Sequence, residues 1–162
     1  MKRGDEMFKE GLVLFAGRDF AGAAGFFTDA LRESPENANY YYYRGVCFQE
    51  TGAAVEAISD YTNALIRQPS ACPVRYNRAE LYLQTGDLVK AEEDFEEILR
   101  SAEPKDHHWP ALAYLGRGLI RLEEGEVEQA VIDLSAAEDL AKMDGDRLLL
   151  ARIGDELERS GF

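Results

Sequence analysis

Residues 38–71 read ANYYYYRGVCFQETGAAVEAISDYTNALIRQPSA, and the same text, loosely respelled, stands 34 residues to either side. The small residues Gly11, Gly45 and Ala79 keep that step, as do Ala23, Ala57 and Ala91. So do Ala30 and Ala64, with Ile98 in the third place, the rings Phe27, Tyr61 and Phe95, and the prolines Pro35 and Pro69. A fourth copy comes five residues late, with Gly118, Ala130, Leu134 and Ala137. A fixed period of this length marks stacked structural units, each too small to bury its own apolar surface.

Each copy reads as two helices. In the quoted stretch, Tyr41, Tyr42, Val46 and Phe48 between Asn39 and Thr51 suit a helix covered on two sides, and Gly52 ends it. From Ala54 to Ile66, the residues Val55, Ile58, Tyr61, Ala64 and Leu65 share one face, and Pro69 closes the copy. The third copy has a helix to Thr85, then Gly86-Asp87, a helix exit followed by an N-cap. Its second helix ends before Pro104. Two helices approach closely only through small side chains, so Gly11 is expected to face Ala23, Gly45 to face Ala57, Ala79 to face Ala91 and Gly118 to face Ala130. The rings Phe27, Tyr61 and Phe95, with Leu134, are expected to fill the space toward the next copy.

The segment Glu103 to Pro110 breaks the period. Pro104 and Pro110 bracket Lys105-Asp106-His107-His108-Trp109, which reads as a loop insertion. Gly145-Asp146 is a further stop-and-cap signal. A last helix then puts Leu149, Leu150, Ile153 and Leu157 on one side and Asp155, Glu156, Glu158 and Arg159 on the other, as a helix closing the end of a stack requires.

Composition sets the function classes. With 46% apolar and 30% charged residues the chain reads as folded and soluble. No apolar run reaches the roughly 18 residues of a membrane helix, and Met1-Lys2-Arg3-Gly4-Asp5-Glu6 does not read as a secretory signal. Cys47 and Cys72 lie inside helices without metal-ligand spacing, which points to buried free thiols and a cytoplasmic, reducing compartment. Net charge is −13. Residues 1–85 carry 11 acids and 9 bases, and residues 86–162 carry 20 acids and 9 bases. Nucleic acid and anionic membrane would be repelled, so neither is expected as a partner.

The residues Gly45, Ala57, Tyr61, Ala64 and Pro69, with their counterparts in the other copies, resemble the tetratricopeptide repeat family. That resemblance implies an all-α fold, a right-handed superhelical solenoid of antiparallel helix pairs. It implies one domain over 1–162, with repeats at about 4–37, 38–71, 72–105 and 111–144, an insertion at 106–110, and a capping helix at about 146–160. Departures are local: Met7 and Leu14 stand where the family favours aromatics, Glu138 and Lys142 where it favours leucine and proline, and Glu92 where an apolar residue is usual. In relatives the first helices of successive repeats line an inner groove that holds a peptide. The five positions of the clamp that grips chaperone C-termini fall here on Phe8, Leu12, Tyr43, Pro73 and Asn77, and none keeps the clamp's side chain at its place.

In the same register the inner row is Phe8, Leu12, Phe15, Tyr42, Val46, Tyr76 and Leu83, continued by Leu115, Leu119 and Leu122. Asn39, Gln49, Asn77 and Glu80 punctuate it with polar groups. Aromatic anchors with a few hydrogen-bonding side chains suit capture of a peptide or helix. A second row is charged: Arg44, Arg78 and Arg117 each precede an aspartate, Asp60, Asp94 and Asp133, by 16 residues, and both members are missing from the first copy, where Glu10 and Phe26 stand. Joint presence and joint loss predict structural ion pairs within each copy, an arginine fork on a carboxylate. The glutamates around Glu92 to Glu97 and Glu123 to Glu128 read as a solvated outer face.

No nucleophile stands beside a base, the two histidines His107 and His108 are adjacent in one segment, and no glycine loop cradles phosphate. The chain therefore reads as a non-catalytic interaction scaffold, with no cofactor and no metal, that binds a segment of another protein. Two further readings stand beside it. One is a cytoplasmic chaperone for a secreted protein, similar to class II type III secretion chaperones in repeat type, size and acidity. The other is a self-assembling module, a homodimer included.

Overall fold

The computed structural model describes residues 3–161. Among them the chain is all-α: α1 (Arg3–Ala16), α2 (Phe20–Glu33), α3 (Ala38–Glu50), α4 (Ala54–Arg67), α5 (Cys72–Gln84), α6 (Leu88–Ser101), α7 (His108–Glu123), α8 (Val127–Asp144) and α9 (Arg147–Arg159). Consecutive helices pair as the two arms of a repeat, a helical-repeat fold. They gather into two compact units, one ending at Leu81 and one beginning at Tyr82 within α5.

The turns carry the punctuation that the helices need. Asp19, Asp87 and Asp146 cap α2, α6 and α9 by accepting the backbone N–H of Gly22, Lys90 and Leu149. Gly52, Gly86 and Gly125 leave the first helices of their repeats with φ near +80°, a conformation that costs glycine nothing. In the first repeat Arg18 occupies that place with φ +61°, the one non-glycine residue in the left-handed region among those described.

In the first unit, Phe27 is fully buried, with Ala23 and Cys47, among the half-buried Phe8, Leu12, Phe15 and Tyr43. Tyr61 is the matching residue one repeat on, packed with Ala57, Leu65, Val74 and Leu81. These rings correct the expected glycine contacts. A Cβ on Gly11 would lie 2.5 Å from Phe27, and one on Gly45 would lie 2.8 Å from Tyr61. The small residue is therefore required by the aromatic ring of its own repeat's second helix and not by Ala23 or Ala57.

In the second unit, Ala111, Leu115, Leu134, Ala137 and Ala141 of α7 and α8 form one cluster with Leu149 and Ile153 of α9. Asp155, Glu158 and Arg159 remain exposed on the far side of α9. Here the counterpart of Gly11 and Gly45 is Gly118, whose Cβ would lie 3.1 Å from Leu134 and 3.4 Å from the Ala130 carbonyl oxygen, so the expected Gly118–Ala130 approach is present; separately, a Cβ on Gly116 would run into the Phe95 ring of the repeat before. The period break also differs from the expected loop. His108, Trp109 and Pro110 form the first turn of α7, which has 16 residues against 13 in α5. Proline is tolerated there because first-turn N–H groups have no helical acceptor. Asp106 Oδ1 accepts the Trp109 N–H, and His108 Nδ1 lies 3.8 Å from carboxylate oxygens of Asp144 and Asp146.

Candidate functional site

The inner row of the first unit comes from α1, α3 and α5. Phe8, Leu12 and Phe15 lie on one face of α1 because their spacing follows the helical turn. All three are half-buried. The Phe8 ring sits 4.8 Å from Tyr40 and 5.4 Å from Tyr43, and the Phe15 ring meets Phe20 and Tyr43 edge-on at 5.5 Å. Tyr43 is thus the hub, touching Phe8, Phe15, Phe27 and Tyr42. Sequence reasoning left Tyr43 out of the aromatic row. The signal available was its place beside Tyr42 in a run of four tyrosines. Phe15 and Val46 line a hollow of about 420 Å³ with Ala16, Phe20, Arg18 and Glu50. The Arg18 guanidinium stands 5.3 Å over the Phe20 ring and 3.7 Å from Glu50.

The polar residues of the row divide. Gln49 Oε1 accepts the Tyr61 hydroxyl at 2.6 Å. Gln49 is therefore engaged in tying α3 to α4. Asn77 is half-buried on α5. Burial raises the pKa of Tyr42 and of Tyr61, with Asn77 opposing in each case. Asn39 lies apart, in a polar hollow of about 650 Å³ with Asp5, Glu36, Asn37 and Gln68. There the Tyr40 hydroxyl donates to Asp5 Oδ1 at 2.7 Å. Burial first, and the adjacent carboxylate second, push this phenol up to about 12. Tyr76 and Glu80 are half-buried on α5, and Glu80 makes no hydrogen bond or ion pair among the described residues. Leu83 is half-buried in the second unit, as are Leu119 and Leu122, whereas Leu115 is buried in the α7–α8–α9 cluster.

The charged row is built into the helix pairs. Arg44 Nε and Nη2 donate to Asp60 Oδ2 and Oδ1, each at 2.7 Å. Arg117 holds Asp133 in the same fork at 2.8 and 2.7 Å, and Arg121 Nη1 adds a third bond at 2.7 Å. Asp60, Asp94 and Asp133 are buried. The hydrogen bond to the carboxylate holds the pKa of Arg44 and of Arg117 above the usual arginine value, against desolvation. Arg44 and Arg78 of the first unit also reach backward. Arg44 Nη1 donates to Thr28 Oγ1 at 3.1 Å, and Arg78 Nη1 donates to Thr62 Oγ1 at 2.9 Å. These threonines stand 34 residues apart. Their repetition was the signal for a role that sequence reasoning did not assign. No group of three or more His, Cys, Asp or Glu side chains placed to hold a metal ion occurs among the described residues, and Cys47 and Cys72 are buried. Burial pushes the Cys47 thiol up to about 11.

A family model described as tetratricopeptide repeat matches residues 8–73, 56–107 and 76–143. The chain belongs to the tetratricopeptide repeat family. Comparison with curated protein sequences gives no match. Among solved structures, the crystal structure of MamA is similar over 89% of this chain and 81% of its own, at 18% identity and a TM-score of 0.82. The Yersinia enterocolitica type III secretion chaperone SycD, in complex with a peptide of the translocator YopD, is similar over 74% of this chain and 93% of its own, at 16% identity and a TM-score of 0.70. The first TPR of Spaghetti (RPAP3), bound to the HSP90 peptide SRMEEVD, is similar over 76% of this chain and 94% of its own, at 18% identity and a TM-score of 0.67. At these identities the likeness is one of fold. No helix among the described residues of this repeat protein is long and apolar enough to cross a membrane.

Proposed function

We propose that the protein is a non-catalytic interaction module that takes a peptide or helix of a partner protein on the inner face of its first three repeats. The observation that carries this reading is the row of half-buried aromatic and aliphatic side chains on α1, α3 and α5: Phe8, Phe15, Tyr42, Val46 and Tyr76. A packed repeat leaves such rings partly open where a further layer is to be added, and rings of this kind dominate binding energy. Arg44 and Arg117 are engaged with aspartates, so the anchors are apolar and the arginines hold the scaffold. SycD and Spaghetti, similar in fold, each hold a peptide of another protein. That agreement is by analogy of fold.

The test is site-specific photocrosslinking. A photoreactive phenylalanine replaces Tyr76 or Val46 in one pair of variants, and Ile66, exposed on α4, in a control. The reading expects one partner segment to be captured from both inner positions and not from residue 66. Capture that is equal at all three, or that survives Tyr42→Ala plus Tyr76→Ala in a protein with an unchanged melting temperature, would sink it.

A further inference from the structure

The first repeat leaves uncovered a face that the later repeats bury. On α1, Glu6, Glu10 and Val13 share one side, at i, i+4 and i+7. Their counterparts are Tyr40, Arg44 and Cys47 in the second repeat, Val74, Arg78 and Leu81 in the third, and Ala113, Arg117 and Ile120 in the fourth. Cys47, Leu81 and Ile120 are at most 2% exposed, whereas Val13 is 67% exposed. Phe26 of α2, 38% exposed, stands where Asp60, Asp94 and Asp133 are buried.

What buries this face elsewhere is the second helix of the preceding repeat. Cys47 packs with Ala23, Phe27, Phe20 and Ala24 of α2, and Leu81 packs with Ala57, Tyr61, Ala54 and Ile58 of α4. Each covering helix thus presents apolar residues at i, i+4 and i+7. The residue at i+8, Thr28 or Thr62, meets the arginine, and the residue at i+11, Leu31 or Leu65, packs with Tyr40 or Val74. On α1 the arginine is replaced by Glu10, and Tyr40 is replaced by Glu6. Neither glutamate has a hydrogen bond or ion pair among the described residues. Like charges at i and i+4 repel when left alone.

From this register we infer that the Glu6–Glu10–Val13–Phe26 face is a seat for a cationic amphipathic helix of a partner protein, lying on α1 as α2 lies on α3. The occupant carries apolar residues at i, i+4 and i+7 for Val13 and Phe26, and lysine or arginine at i+8 and i+11 for Glu10 and Glu6. A second copy of this chain is the poorer occupant, because it would bring four glutamates into one interface. The seat lies apart from the inner face, so the two can be tested separately.

The probe is a fluorescein-labelled helical peptide with that pattern, and a matched peptide with glutamate at i+8 and i+11, titrated with the full chain by fluorescence anisotropy. The lysine peptide is expected to bind at least about tenfold more tightly than the glutamate peptide. Val13→Asp should abolish binding, and Glu6→Lys plus Glu10→Lys should invert the preference. Tyr42→Ala plus Tyr76→Ala should leave it unchanged. All the seat substitutions are at exposed positions, and circular dichroism checks that the helices persist. Failure of the lysine peptide to bind, binding indifferent to Val13→Asp, or a preference that survives charge reversal would overturn the inference. A dimer in light scattering that Val13→Asp dissolves would overturn it too, by assigning the face to a second copy.

Discussion

Arg44→Met is the sharpest test of how the helix pairs are held. The substitution removes three donated bonds, two to Asp60 and one to Thr28. Thr28 is not stranded, because its hydroxyl still donates to the Ala24 carbonyl at 2.8 Å. Asp60 is stranded: it is 3% exposed, and both its oxygens were held by Arg44. Removing one partner of a buried pair costs about 3–5 kcal/mol. The Arg44 side chain is 20% exposed, so water reaches the edge of the site and the lower end, about 3 kcal/mol, is expected. With a urea slope of roughly 1–3 kcal/mol/M, the unfolding midpoint should fall by about 1–3 M. The double variant Arg44→Met plus Asp60→Leu removes the stranded charge and should recover at least about 2 kcal/mol of that loss. The first repeat, with Glu10 and Phe26 in these places, already folds without the pair. A single variant within about 0.5 kcal/mol of the parent, or a double variant less stable than the single, would refute the reasoning.

Three further outcomes follow from the geometry. Gly45→Ala puts a methyl 2.8 Å from the Tyr61 ring, which is fully buried and hydrogen-bonded to Gln49. Overpacking of about 1–3 kcal/mol outweighs the helix-propensity gain of about 1 kcal/mol, so the melting temperature should drop, and a rise would contradict the contact. Arg18→Gly relieves a left-handed residue and should stabilise the protein by about 0.5–1 kcal/mol in calorimetry, with a lower melting temperature as the contrary result. The Tyr40 phenol is raised in the folded state to about 12, so its contribution is complete below its unfolded value near 10 and is lost as pH rises through 12. Urea midpoints across that window should decline less steeply in Tyr40→Phe than in the parent, and an identical decline would remove Tyr40 as the cause.

The repeats were legible because a period of 34 recurs at small, aromatic and turn positions together, and few other folds demand that combination. The helix caps were legible for the same reason, since Gly86-Asp87 and Gly145-Asp146 carry the chemistry of an exit and an entry. What each face touches was harder to read. Register placed Gln49 on the inner row, but a long polar side chain can turn inward, and Tyr61 offered a buried hydroxyl. Gly45 was read against Ala57 because spacing identifies small residues without saying which neighbour requires them. The segment around Trp109 was read as a loop from its two prolines, yet Pro110 falls in the first helical turn, where its missing N–H costs nothing.

The arginine of the second repeat has a consequence for how the stack comes apart. One guanidinium, that of Arg44, is shared between Asp60 in its own repeat and Thr28 in the repeat before. In a linear array, the stability of each repeat and its coupling to the neighbour are separate quantities, and the coupling sets how many repeats melt as one. Arg44 contributes to both at once, and Arg78 repeats the backward link to Thr62. Weakening that link divides a concerted transition into steps, with the first helix pair released while the rest of its unit still holds.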